Sequence, residues 1–134
     1  MENCIFCKII KGEIPSYKIY EDDNTYAFLD ISNDVFGHTL VVPKKHSKNI
    51  LDAESKTLSD VMSTVKLVSN HYINNCGFDG VNIISNNNAS ADQSVMHLHI
   101  HIFPRKENDG LKIFPEIEKH NFNLAEVCQN LKVK

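Results

Sequence analysis

The sequence predicts an α+β fold, with a mainly antiparallel sheet of about five strands, one long helix and a short C-terminal helix. Two observations support this prediction. Short apolar runs of strand character are separated by turns rich in Asn, Asp, Gly and Pro, and one long segment changes to helical periodicity. Strands that stand before and after a single helix favour an antiparallel sheet. The 134 residues are enough to bury a core without disulfide bonds, so we expect one domain over residues 1–134.

Turn residues delimit the predicted strands. Asp22-Asp23-Asn24 predicts a hairpin between the first two strands, and Pro43 ends a continuous apolar run typical of a central strand. Ahead of the strands, residues 4–10 predict a short apolar turn or helical turn that cannot continue through Pro15. The five predicted strands cover residues 17–21, 25–30, 39–42, 80–85 and 94–103.

The long helix is predicted over residues 52–75. Asp52 is a plausible N-cap and Gly77 a plausible stop at the C-terminal end. The apolar residues that fall at helical spacing are Leu58, Val61, Met62, Val65, Val68 and Tyr72. The spacing of Leu124, Val127, Cys128 and Leu131 predicts the short C-terminal helix.

Composition excludes several classes of function. The net charge of −3 does not suit a surface that binds a nucleic-acid polymer, although a mononucleotide remains possible. No apolar run approaches the ~18 residues of a membrane span, so we expect no membrane partner. The N-terminus lacks the pattern of a secretory signal, which points to the cytoplasm. The four cysteines are therefore expected to be thiols or metal ligands.

The run from His97 to Phe103 alternates histidine with apolar residues. In a strand His97, His99 and His101 would line one face, and Met96, Leu98, Ile100 and Ile102 the core face. Histidine is a nucleophile, a proton carrier and a metal ligand, and three of them on one face indicate a chemical site. The alternative is a half-exposed strand whose polar residues happen to be histidines.

With its flanking motifs, this run resembles the histidine triad (HIT) family of nucleotide hydrolases and transferases. The matching pieces are His97-Leu98-His99-Ile100-His101-Ile102, the preceding Gln93-Ser94-Val95, the run from Gly37 to His46, and the start Cys4-Ile5-Phe6-Cys7-Lys8-Ile9-Ile10, which is similar to the bacterial-type phosphoramidase (protein kinase C inhibitor-like) branch. The resemblance covers residues 4 to about 105 and leaves residues 106–134 as an extension. It implies a HIT-like fold, a homodimer and hydrolysis of purine nucleoside phosphoramidates at the α-phosphate.

The resemblance also implies the roles of the catalytic residues. His99 would attack phosphorus and form a nucleotidyl-histidine, while its other ring N–H is held by the carbonyl of His97. Ser94 would donate to the leaving group or a phosphate oxygen, and His101 and His38 would contact phosphate or orient the site. Water would then release the nucleoside monophosphate, and no catalytic metal is required. Taken alone, Ser94 and His38 would be interpreted as a strand-start hydroxyl and a surface histidine.

The nucleotide site follows from the same match. Asp30 would accept from the ribose hydroxyls, Asn86 would contact the ribose-phosphate side, and Gln93 belongs to the same motif. Plain core packing is the alternative for the residues that would form the base pocket, which are Ile5, Phe6, Ile9, Phe28, Ile31 and Leu40. One departure is Asp92, where the family often has glycine next to the phosphate.

Cys4 and Cys7 have the spacing of a zinc knuckle. A tetrahedral structural site needs two further ligands, and the bacterial-type branch implies His46 and His97. We therefore expect a closed, structural Zn²⁺ site that ties the N-terminus to the histidine run. The alternative is a pair of cysteines that packs as small apolar residues.

Two further functions stay open at this stage. A dinucleoside polyphosphate hydrolase would use the same triad with a different leaving-group site. A zinc-stabilised nucleotide-binding or regulatory protein with little turnover is a candidate from another class.

Overall fold

The computed structural model describes residues 3–134 and contains five strands and three α-helices within that range. In chain order these are α1 (Ile5–Ile10), β1 (Lys18–Glu21), β2 (Thr25–Leu29), β3 (Thr39–Pro43), α2 (Ser55–Asn75), β4 (Gly80–Ile84), β5 (Ile100–Arg105) and α3 (Leu124–Leu131), with a single 3₁₀ turn at Ala89–Ala91 before β5. The predicted α+β class is confirmed.

The five strands form one antiparallel sheet in the order β1-β2-β3-β5-β4. Strand β5 therefore pairs between β3 and β4, and Leu40 of β3 lies opposite His101 of β5. This pairing brings the loop before β3 next to the histidine-bearing strand, because both meet at the same end of the sheet.

The two faces of the sheet bury different cores. Helix α2 covers one face through Val61, Val65, Val68 and Tyr72, which pack against apolar residues of β2, β3 and the run into β5. Helix α1 covers the other face through Phe6 and Ile9, which pack against Tyr26, Phe28, Leu40 and Val42. The alternation of the histidine run accounts for this division: Leu98, Ile100 and Ile102 face α2.

The last predicted strand is wrong in its bounds. Residues 94–99 do not pair in the sheet, and β5 begins only at Ile100 and continues through Pro104 to Arg105. The N–H of Leu98 donates to the carbonyl of Ser47 instead of a strand ladder. Strand β3 pairs only with Ile100–Ile102, so the missing N–H of Pro104 lies beyond that ladder. Met96 is also no part of the core, because 40% of its surface is exposed.

Helix α2 begins three residues after the predicted N-cap. Asp52 instead accepts from the N–H groups of Lys48 and Asn49, which closes the turn before the helix. The predicted end is confirmed, because Gly77 has a φ of +82° just after the last turn. Met62 of the predicted core face is exposed, and the buried Thr64 bonds across to Thr25 at 2.6 Å.

The predicted C-terminal helix is present as α3, capped by the side chain of Asn123. None of its residues is buried by the described part of the chain, and Leu124 and Leu131 are each 75% exposed. Among the helices of residues 3–134, none has the length and apolar character needed to cross a bilayer.

Candidate active site

A cavity of about 310 Å³ lies between α1 and the sheet. It has an apolar wall and a polar end, and the polar end is formed by Asp30, Ser94, His99 and His101. The apolar wall contains all six residues predicted for the base pocket: Ile5, Phe6, Ile9, Phe28, Ile31 and Leu40. Ile14, Pro15, Ser16, Leu29 and Val95 also line it. Such a cavity suits a ligand with one flat apolar part and one anionic part.

His99 is buried, and its ring orientation is fixed by the backbone. Nδ1 lies 2.7 Å from the carbonyl oxygen of His97, so Nδ1 carries the hydrogen and donates it. Burial lowers the pKa of His99 below its ordinary value, against the raising effect of this hydrogen bond. The neutral ring therefore has its lone pair on Nε2, which is the form of histidine that attacks an electrophile.

His101 belongs to a chain of hydrogen bonds that begins at the protein surface. Asp34 Oδ1 lies 2.8 Å from Nδ1 of His38, and Nε2 of His38 lies 2.9 Å from Nδ1 of His101. Nε2 of His101 is buried and has no hydrogen-bond partner within residues 3–134. Since His101 lines the cavity, a ligand oxygen there would supply the partner that this nitrogen lacks.

Asp30 presents one carboxylate oxygen at the polar end. Its Oδ1 accepts from the N–H of Ser32 at 2.8 Å, and its Oδ2 lies 3.8 Å from Nε2 of His38. The second oxygen is therefore available to accept from a hydroxyl group of a ligand.

Three predicted residues do not line this cavity: His38, Asn86 and Gln93. His38 bonds to His101 from the side away from the cavity, and Asn86 is partly buried in the segment after β4. The side chain of Gln93 is buried, and its amide donates to the carbonyls of Lys48 and Val95. The same amide accepts from Asn49 Nδ2 and from the N–H of Asn88. Gln93 thus fastens the loop that carries Ser94, and its amide has no free group for a nucleotide.

Residues 14–16, Leu29 and Val95 of the wall were not predicted. The turn at Pro15 carries no chemical signal in the sequence, and only packing against α1 shows that it faces the cavity. Val95 stands in the Gln93-Ser94-Val95 motif, which was the available signal.

Asp92 adopts the left-handed conformation, with a φ of +68°. Glycine takes this conformation without a steric penalty, which explains the glycine that the family often has here. The side chain of Asp92 is exposed, so the unusual feature of this position is the conformation of its backbone.

The four predicted metal ligands converge. Donor atoms of Cys4, Cys7, His46 and His97 all lie within 4.8 Å of one another. Nδ1 of His97 lies 3.3 Å from Sγ of Cys4 and 3.1 Å from Nδ1 of His46, and Sγ of Cys7 lies 3.4 Å from that nitrogen of His46. Tetrahedral zinc with these ligands would place them roughly 3.4–3.7 Å apart, so the set fits Zn²⁺.

The outer hydrogen bond of His97 also fits a metal ligand. Nε2 lies 2.8 Å from the carbonyl oxygen of Pro43 and donates to it, which leaves a lone pair on Nδ1 toward the two sulfurs. Burial lowers the pKa of His97 to about 4, so the ring is neutral. Burial and the neighbouring Cys4 raise the pKa of Cys7 to about 11, an arrangement that a bound cation would reverse.

A second group of donors is formed by Asp30, His38 and His101. The direct bond between the two histidines occupies one nitrogen of each, so we interpret this group as a path for protons.

Comparison with known proteins decides the family. Residues 11–108 match the HIT domain. The chain belongs to the HIT family. One relative of this HIT protein is a HIT-like protein of Borreliella burgdorferi. It is 43% identical over 98% of this chain and 100% of its own length. The adenosine 5′-monophosphoramidase HNT1 of Saccharomyces cerevisiae is 41% identical over 98% of the chain and 82% of its own length.

Solved structures of HIT proteins share the fold. SMU.412c from Streptococcus mutans has a TM-score of 0.86 at 38% identity, over 97% of this chain and 82% of that one. A zinc-bound histidine triad family protein from Mycobacterium smegmatis has a TM-score of 0.79 at 33% identity, over 87% and 85% of the two chains. The predicted HIT-like fold is thereby confirmed for this HIT protein.

Proposed function

We propose that this HIT protein hydrolyses purine nucleoside phosphoramidates, such as adenosine 5′-phosphoramidate, and releases the nucleoside monophosphate. One observation carries the proposal: His99 is held as the neutral tautomer with Nε2 free, in a cavity where Ser94 and His101 stand beside it. The name of the yeast relative, an adenosine 5′-monophosphoramidase at 41% identity, supports the same reaction.

The first step is attack by Nε2 of His99 on the α-phosphorus. The new N–P bond forms as the P–N bond to the leaving amine breaks. The amine departs with a proton supplied at the polar end of the cavity, where Ser94 offers a hydroxyl donor. The carbonyl of His97 stabilises the positive charge that the His99 ring acquires, because it already accepts from Nδ1–H. When Nε2 of His101 carries a hydrogen, it donates a hydrogen bond to a phosphoryl oxygen.

The second step is hydrolysis of the nucleotidyl-histidine. A water molecule enters from the side that the amine left, its oxygen binds phosphorus, and the bond from phosphorus to Nε2 breaks. The electron pair returns to the His99 ring, which regains its starting tautomer, and the proton of the water passes to the group that had protonated the amine.

The apolar wall of the cavity would hold the base. Phe6 and Phe28 contact edge to face with ring centroids 5.4 Å apart, so two aromatic rings offer a preformed surface to a purine. Asp30 would accept from the ribose hydroxyls through its free oxygen. The purine preference rests on the family resemblance.

Zinc would be held by Cys4, Cys7, His46 and His97. With four protein ligands the ion has no open position, so it would supply structural cross-linking alone. It would join α1, the segment after β3 and the run into β5, three parts of the chain that surround His99.

The free thiols also suit a cytoplasmic protein, where cysteines stay reduced.

We also propose that the protein is a homodimer. Strand β4 is an edge of the sheet, and the apolar side chains of α3 and of the segment before it are exposed. A second copy would cover these apolar groups, which a single chain leaves in water.

A rapid quench with adenosine 5′-phosphoramidate, followed by intact mass measurement, tests the reaction. We expect a transient adduct of one adenylyl group on the wild-type protein, release of AMP, and neither in His99→Ala. Absence of both from the folded wild-type protein would contradict the proposal and favour a nucleotide-binding protein with little turnover. Faster AMP release from a dinucleoside polyphosphate in the same assay would favour the other hydrolase.

A further inference from the structure

Asp34 lies outside the cavity, on the loop between β2 and β3. Its side chain is 48% exposed, whereas the side chain of His38, to which it bonds over 2.8 Å, is 6% exposed. The same carboxylate oxygen accepts from the N–H of Val35 at 2.7 Å, which fixes its position. A surface carboxylate therefore holds one end of a buried imidazole whose other end reaches His101.

We propose that Asp34 is a positioning residue for His101. Because of Asp34, Nε2 of His101 carries a hydrogen only when the pair His38 and His101 holds one extra proton. The use of that hydrogen in binding a phosphoryl oxygen rests on the proposed function. The coupling itself rests only on the two hydrogen bonds.

The positions of the hydrogens in the series Asp34–His38–His101 explain this dependence. The Asp34 carboxylate only accepts, so Nδ1 of His38 carries a hydrogen. In a neutral His38 the other nitrogen, Nε2, is then bare and must accept from Nδ1–H of His101. A neutral His101 has only that one hydrogen, so its Nε2 is bare as well. A bare nitrogen repels the oxygen of a phosphate.

One extra proton reverses the outcome, whichever ring holds it. A charged His38 donates from Nε2 to Nδ1 of His101, and the single hydrogen of His101 then stands on its Nε2. A charged His101 carries hydrogens on both nitrogens. In either case Nε2 becomes a donor toward the cavity. An acceptor at position 34 makes the extra proton necessary, and the negative charge of Asp34 favours its presence.

The carboxylates near this pair of histidines lie at the His38 end. Burial lowers the pKa of His101 to about 4, aided by the neighbouring His99 and His38. Asp30 and Asp34 both face His38, at 3.8 Å and 2.8 Å. Among the other groups packed against the pair, the ring of His99 lies 5.0 Å from that of His101, and the uncharged ring of Phe103 stacks on both histidines.

The test is ¹⁵N NMR of the full chain with labelled histidine, in wild type and in Asp34→Asn. The N–H of Val35 should hold the amide oxygen of Asn in the place of Oδ1, so that Asn still accepts from Nδ1 of His38 but carries no charge. We expect Nε2 of wild-type His101 to lose its hydrogen at a single midpoint as the pH rises, and the midpoint to fall by about one pH unit in Asp34→Asn. The alkaline limb of kcat/KM for adenosine 5′-phosphoramidate should move by the same amount.

Two controls accompany the measurement. Asp23→Asn removes the same charge from the exposed turn between β1 and β2 and should leave the midpoint unchanged. Asp34→Glu restores a carboxylate and should return the midpoint toward wild type. If Asp34→Asn does not fold, the isosteric pair Asp34→Glu and Asp34→Gln takes its place, and the midpoint of the Gln variant should be the lower of the two.

Two results would overturn the proposal: a midpoint that Asp34→Asn leaves in place, or a hydrogen on Nε2 of His101 at every pH. A midpoint that moves in a protein without turnover would retain the coupling and reject the proposed hydrolase instead.

Discussion

The ring of His99 donates its Nδ1 hydrogen to the main-chain carbonyl of His97, two residues earlier, over 2.7 Å. This bond selects the tautomer without a carboxylate, so the pair stays uncharged until the ring gains a proton or, in the proposed reaction, forms a bond to phosphorus. The extended backbone between the two residues, with Leu98 turned into the opposite core, makes the distance possible.

Removal of the His99 side chain should separate binding from turnover. In His99→Gly we expect AMP affinity within about threefold of wild type, because the apolar wall and Asp30 remain, while turnover falls by at least about 10⁴-fold. Calorimetry with AMP and a single-turnover assay give the two numbers. His71→Gln, an exposed change on α2, is the control. Turnover that persists in a folded His99→Gly protein would reject the nucleophile.

Loss of one zinc ligand should remove the metal and lower stability. We expect Cys4→Ser to lose the zinc of the wild-type chain and to lower Tm by about 5–10 °C, since a structural metal stabilises the folded state that holds it. Metal analysis and thermal unfolding measure the two effects. Cys128→Ser changes an exposed thiol of α3 and should alter neither. Equal metal content in both variants would contradict the four-ligand site.

Acid should destabilise the protein through buried histidines. The pKa of His101 is lowered to about 4 by burial, so between pH 6.5 and 4 the unfolded chain binds the proton and the folded chain does not. The free energy of unfolding therefore falls as the pH falls through this range, by at most about 3 kcal/mol for this residue. His101→Gln should show a shallower decline in urea titrations. The exposed His71→Gln should follow wild type, and identical slopes in all three would refute the assignment.

Asp92→Gly should stabilise the fold. The left-handed conformation at φ +68° costs a residue with a Cβ, and glycine relieves it, which we expect to raise the free energy of unfolding by about 0.5–1 kcal/mol. Ala91→Gly, one residue earlier in the 3₁₀ turn, should lower it by a similar amount. Urea unfolding compares them, and a reversed order would show that the Asp92 side chain has a stabilising role.

The C-terminal segment should support the dimer. Removal of residues 112–134 leaves Leu111, whose carbonyl accepts from Arg105, and removes the exposed apolar residues of α3. We expect at least a tenfold weaker dimer by sedimentation. Lys119→Ser, an exposed change in the same segment, should have no effect. A truncated protein that dimerises as well as wild type would assign the interface to the sheet edge alone.

The sequence predicts the sheet and the long helix because both depend on local periodicity, and the resemblance to the HIT family implies most of the cavity wall. The start of β5 could not be predicted in this way. Residues 94–99 alternate like a strand, but their hydrogen bonds go to Ser47 and through Gln93 to Lys48, which are distant in the sequence. The same reason hides Asp34: its importance comes from His38 and His101 meeting across β3 and β5, and no spacing along the chain indicates that contact.

His97 belongs to both proposed sites, with different atoms in each. Its imidazole points to the cysteines, and its carbonyl points to the ring of His99. Every amino acid has a carbonyl, so side-chain replacement at position 97 would remove the proposed metal ligand and leave the acceptor for His99 in place. A lineage could therefore lose the proposed metal by ordinary mutation and keep the proposed chemistry, provided that packing still holds the main chain. Mutation could therefore change the proposed metal site without changing the proposed catalytic site, although His97 contributes to both.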